Sequence, residues 1–542
     1  MRISPVHAVA IALLCPLVPA QEHKLLPSDG VAYDYFGAYV AISGTTAIVS
    51  AYGDGDNGSF SGSAYLFDAI TGALIAKLLP SDGTTSDYFG KSVAVSGATA
   101  IVGAYYDDDY GSETGSAYLF DATTGAQMAK LLASDAAPGD YFGYSVAISG
   151  ATAIVGAVWD DDSGFNSGSA YLFDASTGTQ IAKLLPNDGA SWDEFGVSVA
   201  ISGTTAIVGA DRDNANGTNS GSAYLFDTTT GTQLAKLLAS DGASHDYFGS
   251  FVAISGGTAI VGAHGHGDNG ANSGSAYLFD ATTGAQIAKL LASDGSVGDA
   301  FGRSVSISGA TAIVGAPGNT GENGRLTGSS YFFDTTTGAQ VGKLLASDGS
   351  GGDWFGGSGA ISGATAIVGA AYDSDNGPNS GSAYLFDTTA HMGSSFCLGD
   401  GSGTPCPCGN SGAPGEGCAN DTGSGARLIA SGSNSVLAAG LTLEATGLTP
   451  GPGLFFQGDT AIVGGQGSAF GDGLRCVGGQ IVRLEVRFSS AGTSQTTISI
   501  AATGGVGVGD TKRYQLWYRD AGGSPCNSGF NLTNGYEITW TP

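Results

Sequence analysis

Pairs of aspartates separated by one residue recur along the chain, and these pairs are the first candidates for chemistry. A hard cation such as Ca²⁺ requires several oxygen ligands, which a compact acidic loop can supply. No pair stands in a complete D-x-D-x-D-G loop, and short Asp runs also form turns in which the side chain accepts a nearby backbone N–H. Calcium sites and structural turns therefore both stay open for Asp54 and Asp56, Asp107 and Asp109, Asp160 and Asp162, and Asp373 and Asp375.

Three histidines form a second candidate group, at His245, His264 and His266. An H-x-H pair with a third histidine could hold a transition metal. Only one stretch of the chain carries these residues. The alternative is that all three are solvated side chains in loops.

Aromatic residues in the Gly- and Asp-rich segments are candidates for ligand contact. Aromatic rings stack on sugars and fill pockets at binding sites. The predicted binding residues are Tyr105, Tyr106, Trp159, Trp192, Trp354 and Tyr372. For Trp192 and Trp354, which lie within three residues of a Phe-Gly pair, packing in the core is an equal alternative.

Six cysteines follow the first 20 residues, and all lie in the C-terminal part of the chain. An even number in an exported protein predicts three disulfides. A bond between Cys476 and Cys526 is expected because they flank two strand-like runs. A zinc site is the alternative for the first four, although no C-x-x-C pair is present. The six are Cys397, Cys406, Cys408, Cys418, Cys476 and Cys526.

A repeat anchored by a Phe-Gly pair positions the loop residues. Each copy divides at Gly, Ser, Asp and Thr clusters into four short apolar runs. In the second copy we predict strands from Ser92 to Ser96, Ala100 to Ala104, Ser116 to Phe120 and Gln127 to Leu132. The pairs begin at Phe36, Phe89, Phe142, Phe195, Phe248, Phe301 and Phe355, 53 or 54 residues apart.

Seven copies of four strands predict an all-β chain with a seven-bladed β-propeller. The strand-4 phrase Lys-Leu-Leu first occurs at Lys24, before the first Phe-Gly pair, and is missing after the last repeat. We therefore expect Glu22 to Leu26 to supply the last strand of blade 7 and to close the ring. Strands 1 and 2 meet in tight hairpins, so the variable loops between strands 2 and 3 share the other face with the loops between strands 4 and 1.

The copies resemble FG-GAP repeats, the units of the integrin α-chain propeller and of secreted bacterial propellers. The sixth copy has the whole motif, Phe301-Gly302 followed by Gly315-Ala316-Pro317, and the resemblance covers about residues 22 to 390. It implies adhesion-like recognition. In the integrin-type repeat, calcium lies on a D-x-D-x-D-G-like loop between strands 1 and 2. Here those loops read SGTT, SGAT or SGGT, so the integrin calcium sites are not expected.

The composition divides the chain into four parts. Residues 1–20 resemble a secretory signal peptide, 21–390 are the propeller, 391–420 a Cys/Gly-rich linker, and 421–542 a disulfide-stapled β-sandwich-like domain. No later apolar run is long enough for a transmembrane helix. The formal charge of −29 disfavours nucleic acid as a partner. We expect a secreted or cell-surface protein.

Variable loops on one face of a rigid scaffold are typical of a binding surface. We therefore expect an exported, non-catalytic binding or adhesion protein that contacts a polysaccharide or a cell-surface protein. No G-x-S-x-G or H-E-x-x-H motif is present. A secreted hydrolase or lyase using the carboxylates, and a structural matrix component, are the alternatives.

Overall fold

The computed structural model describes residues 22–320, 326–388, 394–399, 404–412, 416–431, 436, 441–490, 492–520, 525–526 and 528–540. The predicted signal peptide, residues 1–20, lies outside these ranges. Residues Glu22–Thr388 form one compact unit, and the chain from Thr389 onward belongs to a second.

The first unit consists of seven four-stranded antiparallel sheets, and we number each blade by the Phe-Gly pair it contains. Strand 1 spans Val40–Ser43, Ser92–Ser96, Phe142–Ser149, Ser198–Ser202, Phe251–Ser255, Ser304–Ser308 and Ser358–Ser362 in blades 1 to 7. Strand 2 spans Thr46–Ala51, Thr99–Ala104, Thr152–Ala157, Thr205–Ala210, Thr258–Ala263, Thr311–Ala316 and Thr365–Ala370. Strand 3 spans Ser63–Asp68, Ser116–Asp121, Ser169–Asp174, Ser222–Asp227, Ser275–Asp280, Ser329–Asp334 and Ser382–Asp387. Strand 4 spans Leu74–Leu78, Gln127–Leu131, Thr179–Leu184, Gln233–Leu237, Gln286–Leu290 and Gln340–Leu344 in blades 1 to 6.

The last strand of blade 7 comes from the N-terminal end of the described chain, as predicted. Glu22–Leu25 pairs antiparallel with strand 3 of blade 7, with Glu22 opposite Phe386 and Leu25 opposite Ala383. Blade 7 also contacts blade 1 through the hydrogen bond of 2.8 Å that the Ser358 hydroxyl donates to the Gly37 carbonyl. The same bond joins blade 2 to blade 3.

The Phe-Gly pair fastens neighbouring blades together. Phe89 is fully buried, and its ring meets Tyr118 edge-on at 5.6 Å, within a cluster that includes Leu66 of blade 1. Gly90 has a φ of +95°, and a Cβ there would lie 2.7 Å from the Ser63 carbonyl oxygen. Both faces of each sheet are thus covered by neighbouring blades, as the apolar runs predict.

The aspartate that ends strand 3 forms the turn to strand 4. In blade 2, Asp121 Oδ1 accepts the backbone N–H groups of Thr123 and Thr124, both at 2.9 Å. Gly125 follows with a φ of +75°. The predicted Asx turn is confirmed.

The second unit contains two sheets that share one hydrophobic core, so the β-sandwich-like prediction is confirmed. The larger sheet contains Ser394–Phe396, Gly535–Thr539, Thr511–Arg519, Pro452–Gly458, Val482–Phe488 and Phe530–Leu532, and the smaller contains Arg427–Ser431, Thr442–Thr446 and Ser494–Gln495. Short strands at Thr460–Ala461 and Val477–Gly478, and at Ser468–Phe470 and Gly473–Arg475, form two further pairs.

Two apolar runs of this unit do not form the strands that their sequences suggest. Thr496 to Ala501 reads as a strand, but the observed strand, Ser494–Gln495, ends before it. A short helix spans Ile500–Gly504 instead, because the Ser499 hydroxyl accepts the Ala502 N–H and caps it. The TAIVG phrase at 460–464, which repeats the strand-2 sequence of the blades, forms a two-residue strand and the 3₁₀ helix Ile462–Gly465, so it is not the start of an eighth blade.

The six cysteines form three disulfides, as predicted, which rules out the four-cysteine zinc alternative. The bonds are Cys397–Cys476, Cys406–Cys418 and Cys408–Cys526. The expected Cys476–Cys526 bond is wrong. The strands that these cysteines flank, Val482–Phe488 and Thr511–Arg519, are not neighbours, because Pro452–Gly458 lies between them in the sheet. Within the described ranges, no helix has the length and apolar character to span a membrane.

Candidate functional site

A lysine from strand 4 lies among the carboxylates of each acidic loop. In blade 1, the Lys77 Nζ is 2.8 Å from Asp54 Oδ2 and 2.7 Å from Asp56 Oδ2. A third carboxylate, Asp29 in the loop between strands 4 and 1, is also 2.7 Å away. The Tyr65 hydroxyl donates to Asp29 and Asp54. The two loop types therefore meet on one face around a cation that the chain itself supplies.

The same cluster recurs in blades 2, 3 and 7, with Nζ to oxygen distances of 2.5 to 2.9 Å. Blade 4 has a reduced version, in which Lys236 meets Asp188 and Asp213 and Ala215 stands where the third carboxylate would be. The full clusters are Lys130 with Asp82, Asp107 and Asp109, Lys183 with Asp135, Asp160 and Asp162, and Lys24 with Asp348, Asp373 and Asp375.

The ion pairs shift the pKa values of the aspartates and lysines in these clusters. Burial raises the pKa of Asp29, but hydrogen bonds from Lys77 and Tyr65 outweigh it and hold the pKa below its usual value. Burial lowers the pKa of Lys77, and the three carboxylates more than reverse this, so its pKa is raised. Both partners are therefore held in their charged forms near neutral pH.

The predicted calcium ligands thus converge, together with a residue that competes for the site. Oxygens of Asp29, Asp54 and Asp56 lie within 4.8 Å of one another, close enough for one ion. The Lys77 Nζ occupies the position between these oxygens, where a metal ion would bind. Calcium binding at the clusters remains a prediction, and it requires that the ammonium group be displaced.

Sequence reasoning missed the lysine and the third aspartate of each cluster. In the sequence, the aspartate of the Ser-Asp-Gly phrase is typical of a turn, and the lysine only marks strand 4. The available signal was their spacing, because Lys77 follows Asp54 by 23 residues and Asp29 by 48. The same intervals return in the next two repeats.

The three histidines of blade 5 have different surroundings. His266 is buried where five of the other blades have aspartate and blade 6 has Asn319, and its Nε2 accepts from Lys289 Nζ at 2.7 Å. That contact assigns the ring proton to Nδ1, which donates to Asp246 Oδ2 at 3.0 Å. His264 stacks on the Tyr247 ring at 5.5 Å, and the His245 ring is 6.1 Å from the same ring. In the described chain, His266 groups with Asp241 and Asp268 rather than with a second histidine.

Nine aromatic side chains form a continuous band on the loop-bearing face, here called the aromatic arc. Successive ring centroids along it are 5.0, 5.6, 5.1, 6.2, 5.3, 5.0 and 4.3 Å apart. Tyr105 contacts the band from the side, 4.2 Å from Tyr106. In order, the band runs through Trp354, Tyr372, Tyr35, Tyr52, Tyr88, Tyr106, Tyr141 and Trp159, from blade 7 across blades 1 and 2 to blade 3.

Two positions of the repeat supply alternate rings of the arc. The residue before each Phe-Gly pair has a left-handed φ, +52° at Tyr88 and +57° at Tyr141. For a bulky side chain this conformation costs roughly 1–3 kcal/mol. It is held by bonds such as that from the Tyr88 N–H to the Phe60 carbonyl, 3.1 Å long. The other rings, such as Tyr106 and Trp159, come from the start of the loop after strand 2.

Five of the six predicted aromatic residues lie in the arc. Trp192 does not; it packs edge-on against Phe165 at 4.8 Å and is 50% exposed. Trp354 is also at the surface, so the core alternative fails for both tryptophans. The other four members of the arc were not predicted from the sequence. A tyrosine in the Asp-Tyr-Phe-Gly phrase, or directly after strand 2, would have indicated them. They are Tyr35, Tyr52, Tyr88 and Tyr141.

The arc ends in a cleft on blade 3 with a volume of about 350 Å³. Tyr141, Trp159 and Phe165 supply its rings, and Glu113 and Asp140 are among its acidic residues. Burial raises the pKa of Asp140 to about 6. The pKa of Asp34 and of Asp193, at the equivalent positions of blades 1 and 4, is raised to about 6 for the same reason. The raised pKa is therefore a feature of the repeat and does not distinguish this cleft from other blades.

Comparison with known proteins identifies the repeat. No curated protein matches the chain. The FG-GAP repeat family matches it seven times, at residues 19–67, 73–120, 126–173, 179–226, 232–279, 285–333 and 339–386. These matches cover more than half of the chain, and each runs from strand 4 of one blade through strands 1 to 3 of the next, so the chain belongs to the FG-GAP repeat family.

Proposed function

We propose that this protein is a non-catalytic binding protein that contacts a polysaccharide through the aromatic arc. The arc is the observation that carries the proposal. Apart from the buried Tyr141, its rings are exposed or half-buried and lie 4.2 to 6.2 Å apart, so successive sugar rings can stack along them. Carboxylates at its blade 3 end can accept hydrogen bonds from sugar hydroxyls.

The position of the arc supports a linear ligand. The band stops at blade 4, where Glu194 and Arg212 hold the equivalent positions, and the Tyr247–His264 pair of blade 5 is separate from it. A ligand would therefore lie along one side of the loop-bearing face. A chain-like glycan fits this better than a compact ligand.

The acidic residues favour binding over catalysis. A glycosidase requires two carboxyl groups that differ in protonation at one site. Here the cluster carboxylates are paired with lysine, and the raised pKa of Asp140 recurs at Asp34 and Asp193. A feature repeated around the propeller is better explained by the turn that contains it.

The disulfides support a site of action outside the cytoplasm. Three disulfides in one unit are typical of exported proteins. Polysaccharides of cell envelopes and matrices are present in such compartments. We therefore propose that the protein is secreted or presented at the cell surface.

The test is binding of the full chain to a polysaccharide panel by affinity electrophoresis and glycan array. Tyr106→Ala and Trp159→Ala are expected to weaken binding about 10- to 50-fold, the usual effect of losing a central aromatic contact. Tyr110→Ala is the matched control, because Tyr110 lies in the same loop as Tyr106 and is 66% exposed. It should bind as the unmodified protein does. Cleavage of a glycan, or equal loss in all three variants, would contradict the proposal.

A further inference from the structure

Two basic side chains of the propeller differ from the others. The seven strand-4 lysines each pair with at least one carboxylate, and Arg212 pairs with Glu194 at 3.0 Å. Among the described residues, Lys91 and Arg303 have no carboxylate at ion-pair distance. Each directly follows a Phe-Gly pair, so each stands at the start of strand 1, in blades 2 and 6.

Lys91 and Arg303 both line a central cavity of about 380 Å³. Strand-1 residues of all seven blades contribute to its wall, from Val40 of blade 1 to Gly359 of blade 7. Its volume falls at the lower end of the range for small-molecule sites, roughly 300–1,000 Å³. Because strand 1 starts on the loop-bearing face, the two cations lie toward that end of the cavity.

The nearest groups to the two cations are aromatic, and Asp211 is the one carboxylate among the residues that line the cavity. The Lys91 Nζ donates to the Tyr39 hydroxyl at 2.7 Å and lies 4.1 Å from the centre of the Tyr144 ring. The Arg303 guanidinium lies 4.8 Å from the centre of the Phe251 ring. Ring faces attract a cation without neutralising it. This end of the cavity therefore keeps two positive charges in a protein whose formal charge is −29.

The two cations act on a common point. Burial raises the pKa of the Tyr39 phenol, but the charges of Lys91 and Arg303 together hold that pKa below its usual value. A negative group placed near Tyr39 would lie close to Lys91, and the charge of Arg303 would add to the attraction.

Two residues of the cavity wall also contain buried polar atoms that lack partners. Asp211 Oδ1 and His264 Nδ1 are buried without a hydrogen bond within the described part of the chain. The other Asp211 oxygen accepts from the Ser250 hydroxyl at 2.8 Å. A buried polar atom without a partner destabilises the protein. A ligand hydroxyl that reached Asp211 Oδ1 would recover that cost.

We propose that the central cavity binds a small hydroxylated carboxylate of the sugar-acid class. Its carboxylate pairs with Lys91 and Arg303, and a hydroxyl donates to Asp211. The rings of Tyr39, Tyr144 and Phe251 cover its apolar surface. A neutral sugar would leave both cations unpaired, and an ammonium group would be repelled by them. The site does not depend on glycan binding at the aromatic arc.

The test is calorimetric titration of the full chain with sodium glucuronate, galacturonate and gluconate, against glucose and galactose at matched ionic strength. At least one acid should bind at least tenfold more tightly than the neutral sugars. Lys91→Met and Arg303→Met should each weaken that binding about 10- to 100-fold, as expected for losing a hydrogen bond to a charged group. Arg212→Met, which removes a paired arginine, should leave it unchanged.

A charge-preserving variant separates binding from folding. Lys91→Arg should retain binding that Lys91→Met loses, while all variants are checked by thermal melting. The proposal is overturned if none of the three acids binds, if neutral sugars bind equally well, or if neither methionine variant weakens the complex.

Discussion

The lysine clusters make a prediction about what happens when the internal cation is removed. Lys183→Met leaves Asp135, Asp160 and Asp162 facing one another without a positive charge. Removing one partner of a buried ion pair costs about 3–5 kcal/mol. Asp160 is buried, but Asp135 and Asp162 are 45% and 49% exposed, so water screens part of the repulsion. We expect a loss of about 2–3 kcal/mol.

The same variant should acquire calcium dependence. Its three carboxylates have oxygens within 4.8 Å of one another, and calcium would replace the missing ammonium group. Calcium should therefore raise the melting temperature of Lys183→Met, while chelator should lower it again. Differential scanning calorimetry of the full chain, with calcium or with chelator, measures both effects.

Blade 4 offers the matched control. Lys236 meets only Asp188 and Asp213, because Ala215 replaces the third carboxylate. Lys236→Met should therefore lose less stability and regain little of it with calcium. The reasoning is refuted if Lys183→Met melts like the unmodified protein, or if calcium stabilises both variants equally.

Three further predictions follow from the fold. Deleting residues 22–26 removes the outer strand of blade 7, the buried Leu25 and the Lys24 cluster. It should cost several kcal/mol, at about 1.5–3 kcal/mol for the leucine alone, and an unchanged melting temperature would contradict the closure. Gly143→Ala would place a Cβ 2.2 Å from the Ser116 carbonyl oxygen, whereas Gly97→Ala meets nothing within 4 Å; equal melting of the two variants would contradict the close approach of the blades. Because the pKa of Asp34, Asp140 and Asp193 is about 6 when folded and near the ordinary 3.8 when unfolded, folding takes up protons between these values. Their contribution to stability therefore falls as pH rises, so the melting temperature should be higher at pH 5 than at pH 7, and Asp140→Asn should reduce the difference; a lower value at pH 5 would contradict the assignment.

The propeller was largely predictable from sequence because the same pattern of strands and turns recurs in seven copies. The four strands of blade 2 end within one residue of their predicted bounds. The turn between strands 3 and 4 was equally predictable, because the residues that form it, Asp121 and Gly125, lie within five residues of each other. The displaced strand at Glu22–Leu25 was visible because a recurrent phrase preceded the first Phe-Gly pair and was missing after the last.

The site was less predictable because its contacts join residues far apart in the chain. Lys77 and Asp29 lie 48 residues apart, and no local pattern reveals that strand 4 and the loop before strand 1 meet. The arc likewise depends on contacts between blades, such as Tyr35 with Tyr372. The Cys476–Cys526 error has the same origin, because sequence order did not show that Pro452–Gly458 separates the flanking strands.

The most direct test of the central claim is hydrogen–deuterium exchange of the full chain with and without a polysaccharide that it binds. Binding at the aromatic arc should slow exchange in residues 32–36, 51–54, 86–89, 104–107, 139–142 and 157–160, which carry the rings of blades 1 to 3. The equivalent loop of blade 5, residues 263–273, should exchange as before. Protection confined to blades 4 to 6 or to the C-terminal unit would contradict the account.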